Sequence, residues 1–463
     1  MSSKRLERFS YLIDSCKSPN TELFYNKNFP EAISEFNKTF TEDDIHYFIS
    51  EYDDSELFCS SVSRLFVKEI KSRATDRNSE IASSSIAEFL SNDTGHLTQD
   101  GMIGGYQVLQ TLNLLSICSE SMIDHISLAY VPSTMAKCIY IFLDLPKRDT
   151  SVVYHKFTLL FKSIFHRLCS HSITVEEMCK SDSLRHCFLA MSDSCSKDNS
   201  HWRATVQNSL IAMSQNSLTP IVLDYIHSTQ ALVDCLKNLL QGHLSGPTVA
   251  SVFICLFNLL RESSLISKVL MDDFRSSGGY VLVSDFLLKF EEYLIDKAPN
   301  SKEPTEAYES TMPDSKEREV STIDRQDVIF LLKDLLIHLG RLAMIGSNEL
   351  RPKSGTTDQT FNLPGFILPQ PRGIGESKNV LQQVFIKACS EELSIEILDI
   401  ISNIYKQDKA NYFILAPQKT ISCFADVIVS KSVRVQLDFF NLLVDLVIFY
   451  TGSSSNEKLS KIL

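Results

Sequence analysis

Four histidines and four cysteines crowd one stretch of the chain: His166, Cys169, His171, Cys179, His186, Cys187, Cys195 and His201. Imidazole and thiolate are the usual zinc ligands, so a metal centre would be sought here first. Zinc sites, however, are built from tight pairs of ligands a few residues apart, joined to a second tight pair. Here successive cysteines stand 10, 8 and 8 residues apart and fall on separate helices of one repeat. That is the pattern of thiols packed in a core with histidines on the surface. No metal and no cofactor is expected.

The remaining chemical motifs are fragments. Gly373-Ile374-Gly375 has no preceding strand and no third glycine, so it does not make a dinucleotide loop, and no P-loop occurs. No nucleophile motif frames a Ser/His/Asp or Cys/His set. Thr311-Met312-Pro313-Asp314 has the form of an acid-directed phosphorylation site but lies in a polar, solvated stretch. Residues 412–415 and 439–442 have the aromatic-x-x-aliphatic form of autophagy-modifier ligands, yet both sit in helical apolar stripes and read as core. The chain is expected not to be an enzyme.

The elements that would position any site are helices in a repeat. In residues 264–290, Leu265, Ile266, Val269, Leu270 and Phe274 draw one apolar stripe at helical spacing. Ser276, Ser277, Gly278 and Gly279 break it, because glycine reaches positive φ cheaply. Val281, Leu282, Phe286, Leu287 and Phe290 form a second stripe. Similar hairpins turn after Ala129, Cys179, Ile226 and Phe274, at steps of 50, 47 and 48 residues. Their second helices fall at 135–143, 184–191, 232–240 and 280–290, and a fifth hairpin turns after Leu415 into a stripe of Ile421, Phe424, Val427 and Ile428. Val131-Pro132-Ser133 reads as a helix start capped by Ser133. This period predicts an all-α fold, an armadillo/HEAT-like α-solenoid of stacked helical hairpins.

The chain's 463 residues divide on composition. Residues 1–55 read as an irregular N-terminal arm and 56–296 as α-solenoid repeats. Residues 297–323, rich in Pro, Ser, Glu and Lys, read as a disordered polar linker. The solenoid continues over 324–451, and 452–463 is a polar tail. Within the continuation, 352–375 is rich in Pro and Gly but carries Phe361, Leu363, Phe366, Ile367 and Leu368. Such a loop would not leave those side chains in water, so residues 363–368 are expected to lie as a hydrophobic strap in the groove between the helix ending near Ile345 and the helices from Val380 onward. A formal net charge of −12 argues against nucleic acid or an anionic membrane as partner. No signal peptide or bilayer-length apolar run is present, and the 12 cysteines read as reduced thiols of a cytoplasmic protein.

Several motifs carry a resemblance. They are Val131-Pro132-Ser133-Thr134 with Lys137-Cys138, Phe142-Leu143-Asp144-Leu145-Pro146, and Asp272-Asp273-Phe274-Arg275 with Gly279-Tyr280. Leu363-Pro364-Gly365-Phe366 with Pro369-Gln370-Pro371 follows, then Asn403-Ile404-Tyr405 with 410–415. In this order they resemble the N-terminal armadillo-like region of the Alfy type of BEACH-family protein, scaffolds with WD repeats and a FYVE finger. The resemblance implies a non-enzymatic scaffold in selective autophagy of protein aggregates, associated with autophagic structures and binding other proteins through its solenoid surfaces. It also implies that the lipid-binding modules belong to a C-terminal part outside this chain, which would then not bind membrane directly. The alternative is a general armadillo-like adaptor in vesicle or membrane traffic.

Overall fold

The structure, a computed structural model, describes residues 10–12, 14, 28–52, 54–74, 79–92, 104–145, 152–241, 244–263, 268–295, 325–349, 374–407 and 417–451. Among them every regular element is helical and no strand occurs. The linker 297–323, the strap residues Phe361, Leu363, Phe366, Ile367 and Leu368, the start of the fifth hairpin at 412–415 and the tail 452–463 lie outside the described residues. The chain divides into two compact units: Met1–His243 with Leu265–Asp273, and Leu244–Ser264 with Phe274–Leu463.

The first unit opens with α1 (Asn28–Thr39), α2 (Glu42–Glu51), α3 (Ser55–Arg73) and α4 (Ser79–Ser91). The stretch expected to be irregular therefore holds two helices. They rest on a local cap and on a short apolar stripe, Phe29, Ala32, Ile33 and Phe36, that is buried against later helices. Thr41 and Asp44 form a reciprocal capping box at the start of α2. Asn37 of α1 donates to the Gln107 carbonyl at 2.8 Å and accepts from the Thr111 hydroxyl at 2.9 Å. Phe29, Phe36 and Phe48 close around Phe58 of α3.

Three rungs follow: α5 (Gly105–Cys118), α6 (Glu120–Leu128) and α7 (Val131–Phe142); α8 (Val152–Cys169), α9 (Ser172–Lys180) and α10 (Leu184–Ser192); α11 (Ser200–Asn216), α12 (Pro220–Ser228) and α13 (Ala231–Gln241). The expected turns after Ala129, Cys179 and Ile226 fall at the ends of α6, α9 and α12, and the expected second helices are α7, α10 and α13. Each hairpin is completed by a third, longer helix. Equivalent helices pack in rows, α5–α8–α11, α3–α6–α9–α12 and α4–α7–α10–α13, so each rung buries its neighbour. One residue in each turn takes the left-handed conformation: Tyr130 (φ 65°), Asp182 (φ 51°) and Gln230 (φ 56°). The period is thus written into the backbone as well as into the apolar pattern.

Polar ties fix the rungs to one another. Ser127 and Thr174 hydroxyls meet at 2.8 Å, Thr219 donates to Glu176 at 2.9 Å, and Asn199 donates to the Leu143 and Leu145 carbonyls. Ser133 is not the N-cap of α7. Tyr130 occupies that position, and the Ser133 hydroxyl instead donates to Glu177 of the next rung at 2.5 Å. The Ser133 backbone N–H and the Ser181 hydroxyl also reach the Glu177 carboxylate. Burial still holds that carboxyl above its ordinary range, because three donors only partly replace lost water. His227 of α12 pairs with Asp273 of α15 (Lys268–Ser276) at 3.0 Å, both within the first unit.

The second unit contains α14 (Gly246–Ser263), α16 (Gly279–Ile295), α17 (Arg325–Glu349), α18 (Ile374–Lys387), α19 (Glu391–Gln407), α20 (Pro417–Ile428) and α21 (Val433–Thr451). It has two rows, α14–α17–α19–α21 and α16–α18–α20. Where α17 crosses α19, Gly340 lets the backbones approach; a Cβ there would stand 2.6 Å from Ile400 Cγ2. At the turn into α16, Gly278 takes φ +80° with open space around it. Gly279 is closed in differently, since its Cβ would stand 2.6 Å from the Phe274 ring. Among the described residues no helix is long and apolar enough to cross a membrane.

Candidate functional site

Neighbouring helices of the row α5–α8–α11 leave a groove of about 580 Å³ between α8 and α11. Its floor is set by the core. Phe157, Phe161 and Phe165 of α8 and Trp202, Val206 and Leu210 of α11 are buried, and Trp202 is fully enclosed by Phe142, Phe157 and Phe161. This packing holds the two helices at fixed spacing and turns their polar residues to the rim. Lys162, His166 and His201 line the groove with the amides Asn208, Gln215 and Asn216, and no carboxylate is among its lining residues.

The Lys162 ammonium lies 5.7 Å from the centre of the Trp202 ring, a cation–π contact. Burial pushes its pKa down, so this ammonium lacks part of its hydration. The His201 ring sits 4.9 Å from the Trp202 ring, and its Nδ1 is 2.8 Å from the Asp198 carbonyl, to which it donates as the Nδ1–H tautomer. Its Nε2 is buried without a hydrogen-bond partner. Burial lowers its pKa first, and the charge of Lys162 lowers it further. Arg167 is committed elsewhere, donating to Asn113 Oδ1 at 3.1 Å and Ser116 Oγ at 2.6 Å of the preceding rung. The groove therefore presents one under-solvated cation, Lys162, among hydrogen-bonding groups, with no carboxylate in its lining. A carboxylate entering it would restore the solvation that Lys162 has lost.

Two of the residues whose types suggested metal binding, His166 and His201, are brought together here. The cysteines are not. Cys169, Cys179 and Cys187 are buried in the helical core, and burial pushes Cys179 and Cys187 up to about 12 and Cys169 well above its ordinary value. Thiols held that firmly in the protonated form are poor metal ligands. His186 packs edge-on against Tyr140 at 5.5 Å, with its pKa lowered by burial. Among the described residues no group of three His, Cys, Asp or Glu side chains is placed to hold a metal. Lys162, Asn208 and Gln215 carry no local motif, and only helix pairing places them together.

Rungs of two or three helices, each buried by its neighbours, define a helical-repeat protein of the armadillo/HEAT class. No family model matches the chain. It is similar to human WD repeat- and FYVE domain-containing protein 4, with 23% identity over 365 residues covering 76% of this chain and 10% of that protein. The mouse protein of the same name is 24% identical over 361 residues, covering 75% of this chain and 10% of its own length. These relatives are of the Alfy-like type that the sequence motifs resemble. The chain spans about a tenth of the length of the curated relatives it matches. Among solved structures, yeast importin-beta aligns with 96% of this chain and 52% of its own at 10% identity, with a TM-score of 0.34. The fold assignment stands on the helix packing itself.

Proposed function

We propose that the chain is a non-enzymatic scaffold whose α8–α11 groove seats an extended, acidic segment of a protein partner. The observation that carries this reading is the lining of the groove: the cation Lys162 among the amides Asn208, Gln215 and Asn216, without a carboxylate, in a chain of net charge −12. An acidic peptide would lay its carboxylates against Lys162 while the amides of Asn208, Gln215 and Asn216 take its backbone groups. The test is fluorescence anisotropy with a labelled glutamate-rich peptide. Lys162→Glu is expected to weaken binding at least tenfold, and binding by the parent chain should fall with added salt. Equal binding by parent and variant, or none by either, overturns the reading.

The resemblance of the sequence motifs to the Alfy type of BEACH-family scaffold is what supports a finer reading, a scaffold in selective autophagy of protein aggregates. Proximity labelling by the tagged chain in cells is expected to enrich autophagy receptors and ubiquitin-positive aggregates. Enrichment of vesicle coats and tethers instead would favour the general adaptor of membrane traffic.

A further inference from the structure

The absence of carboxylates does not end at the rim of the groove. Helices α5, α8 and α11, which make this row, contain no aspartate or glutamate, in a chain that has 57 acidic residues. A solvated helix face ordinarily mixes both signs of charge. On α8 the outward side instead carries Lys156, Leu159 and Lys162. Lys156 is exposed and lies outside the groove, Leu159 is 54% exposed, and Lys162 is half-buried in the groove lining. Neither lysine forms an ion pair among the described residues. The second unit differs, since Lys333, Lys406 and Arg434 there meet the carboxylates of Glu396, Asp445 and Glu391.

The three positions are three residues apart, so each is turned about 60° from the last while the axis rises about 4.5 Å. They trace one oblique strip across α8. Its Lys162 end faces α11. Its Lys156 end lies on the flank of Arg167, about three turns further along, which bonds to Asn113 and Ser116 of α5. At a side-chain radius of about 5–6 Å, the two lysines stand about 13 Å apart. An extended chain rises about 3.3 Å per residue and turns every second side chain to the same face. Residues i and i+4 of such a chain therefore span the distance between the lysines, with i+2 between them.

We propose that the acidic segment seated in the groove leaves it at Lys162 and crosses α8 along this strip, carrying the sequence acidic–x–aliphatic–x–acidic. This rests on the reading of the groove given above. One carboxylate meets Lys162, the aliphatic side chain covers Leu159, and the second carboxylate meets Lys156. The groove alone holds one cation and so fits one acid. The strip supplies the second, and no acidic residue of α8 or α11 opposes either.

Fluorescence anisotropy of the whole chain tests this with three labelled peptides: Glu-Ser-Leu-Ser-Glu in a glycine–serine frame, its permutation Glu-Leu-Ser-Ser-Glu in the same frame, and the glutamate-rich peptide. The first should bind about tenfold tighter than the second, which has the same charge and composition. Lys156→Glu should weaken the first about fivefold, and Leu159→Ser should erase the difference between the first two. Lys71→Glu, an equal change of charge on α3, should leave all three unaffected. Equal binding of the first two peptides, a Lys156→Glu chain that binds like the parent, or a Lys71→Glu effect as large as that of Lys156→Glu each overturns the proposal. If the glutamate-rich peptide then still responds to Lys162→Glu, the reading of the groove survives. Binding of none of the peptides overturns both.

Discussion

Trp202→Ala should be the most damaging single change in the first unit, costing about 3–5 kcal/mol. The indole is fully buried, with Phe142 at 5.0 Å, Phe161 at 5.7 Å and Phe157 at 6.2 Å between ring centres. These neighbours come from α7 and α8 and the indole itself from α11, so the cavity would open where three rungs meet and could not close by a local shift. Urea denaturation followed by circular dichroism measures the loss. Trp202→Phe, which keeps most of the ring volume, should cost much less. If the alanine variant unfolds at the parent's midpoint, the ring cluster is not what holds the rungs together. Trp202 is the chain's single tryptophan, so its fluorescence in the parent reports on this unit alone.

Gly279→Val should be the corresponding change in the second unit. The Phe274 ring lies over the first residue of α16 and packs edge-on against Tyr280 at 4.9 Å and against Phe257 at 6.2 Å. A side chain at 279 must displace that ring, an overpacking cost of about 1–3 kcal/mol. Gly278→Val acts through the backbone instead, since φ +80° there costs a β-branched residue about 1–2 kcal/mol. Together the two substitutions should lower the melting temperature by more than either alone. Two variants that both melt with the parent would remove the physical basis assigned to this turn.

The contrast between these positions shows how much of the molecule is legible in sequence. Turns after Ala129, Cys179, Ile226 and Phe274 can be read because an apolar stripe stops and restarts across a few polar residues. The left-handed residue inside each turn is harder to see, because three of the four are Tyr130, Asp182 and Gln230 and only one is a glycine. The third helix of each rung is hardest. In α11 the buried set includes Arg203, Thr205, Ser209 and Ser214 beside Trp202 and Leu210, so polar residues inside the packing blur the apolar period. The groove could not be read at all, because Lys162 and His201 belong to separate helices that meet only through the row α5–α8–α11. The exposed apolar side of α21 is hidden for the opposite reason. Phe439 and Leu442 are core as expected, but Phe440 between them faces outward, and an all-apolar run does not show which side is covered.

The buried thiols give the first unit a built-in set of reporters. Cys59 lies in α3, Cys118 and Cys138 in the next rung, Cys169, Cys179 and Cys187 in the one after, and Cys235 in α13. An alkylating reagent can reach a buried thiol only when its surroundings open. Timed alkylation read by mass spectrometry would therefore assign an opening frequency to each successive layer, with no substitution or label introduced. Cys389, exposed in the second unit, would mark the rate of unhindered reaction in the same tube. The residues that first suggested metal chemistry thus serve as a clock for how far a disturbance at one rung travels along the stack.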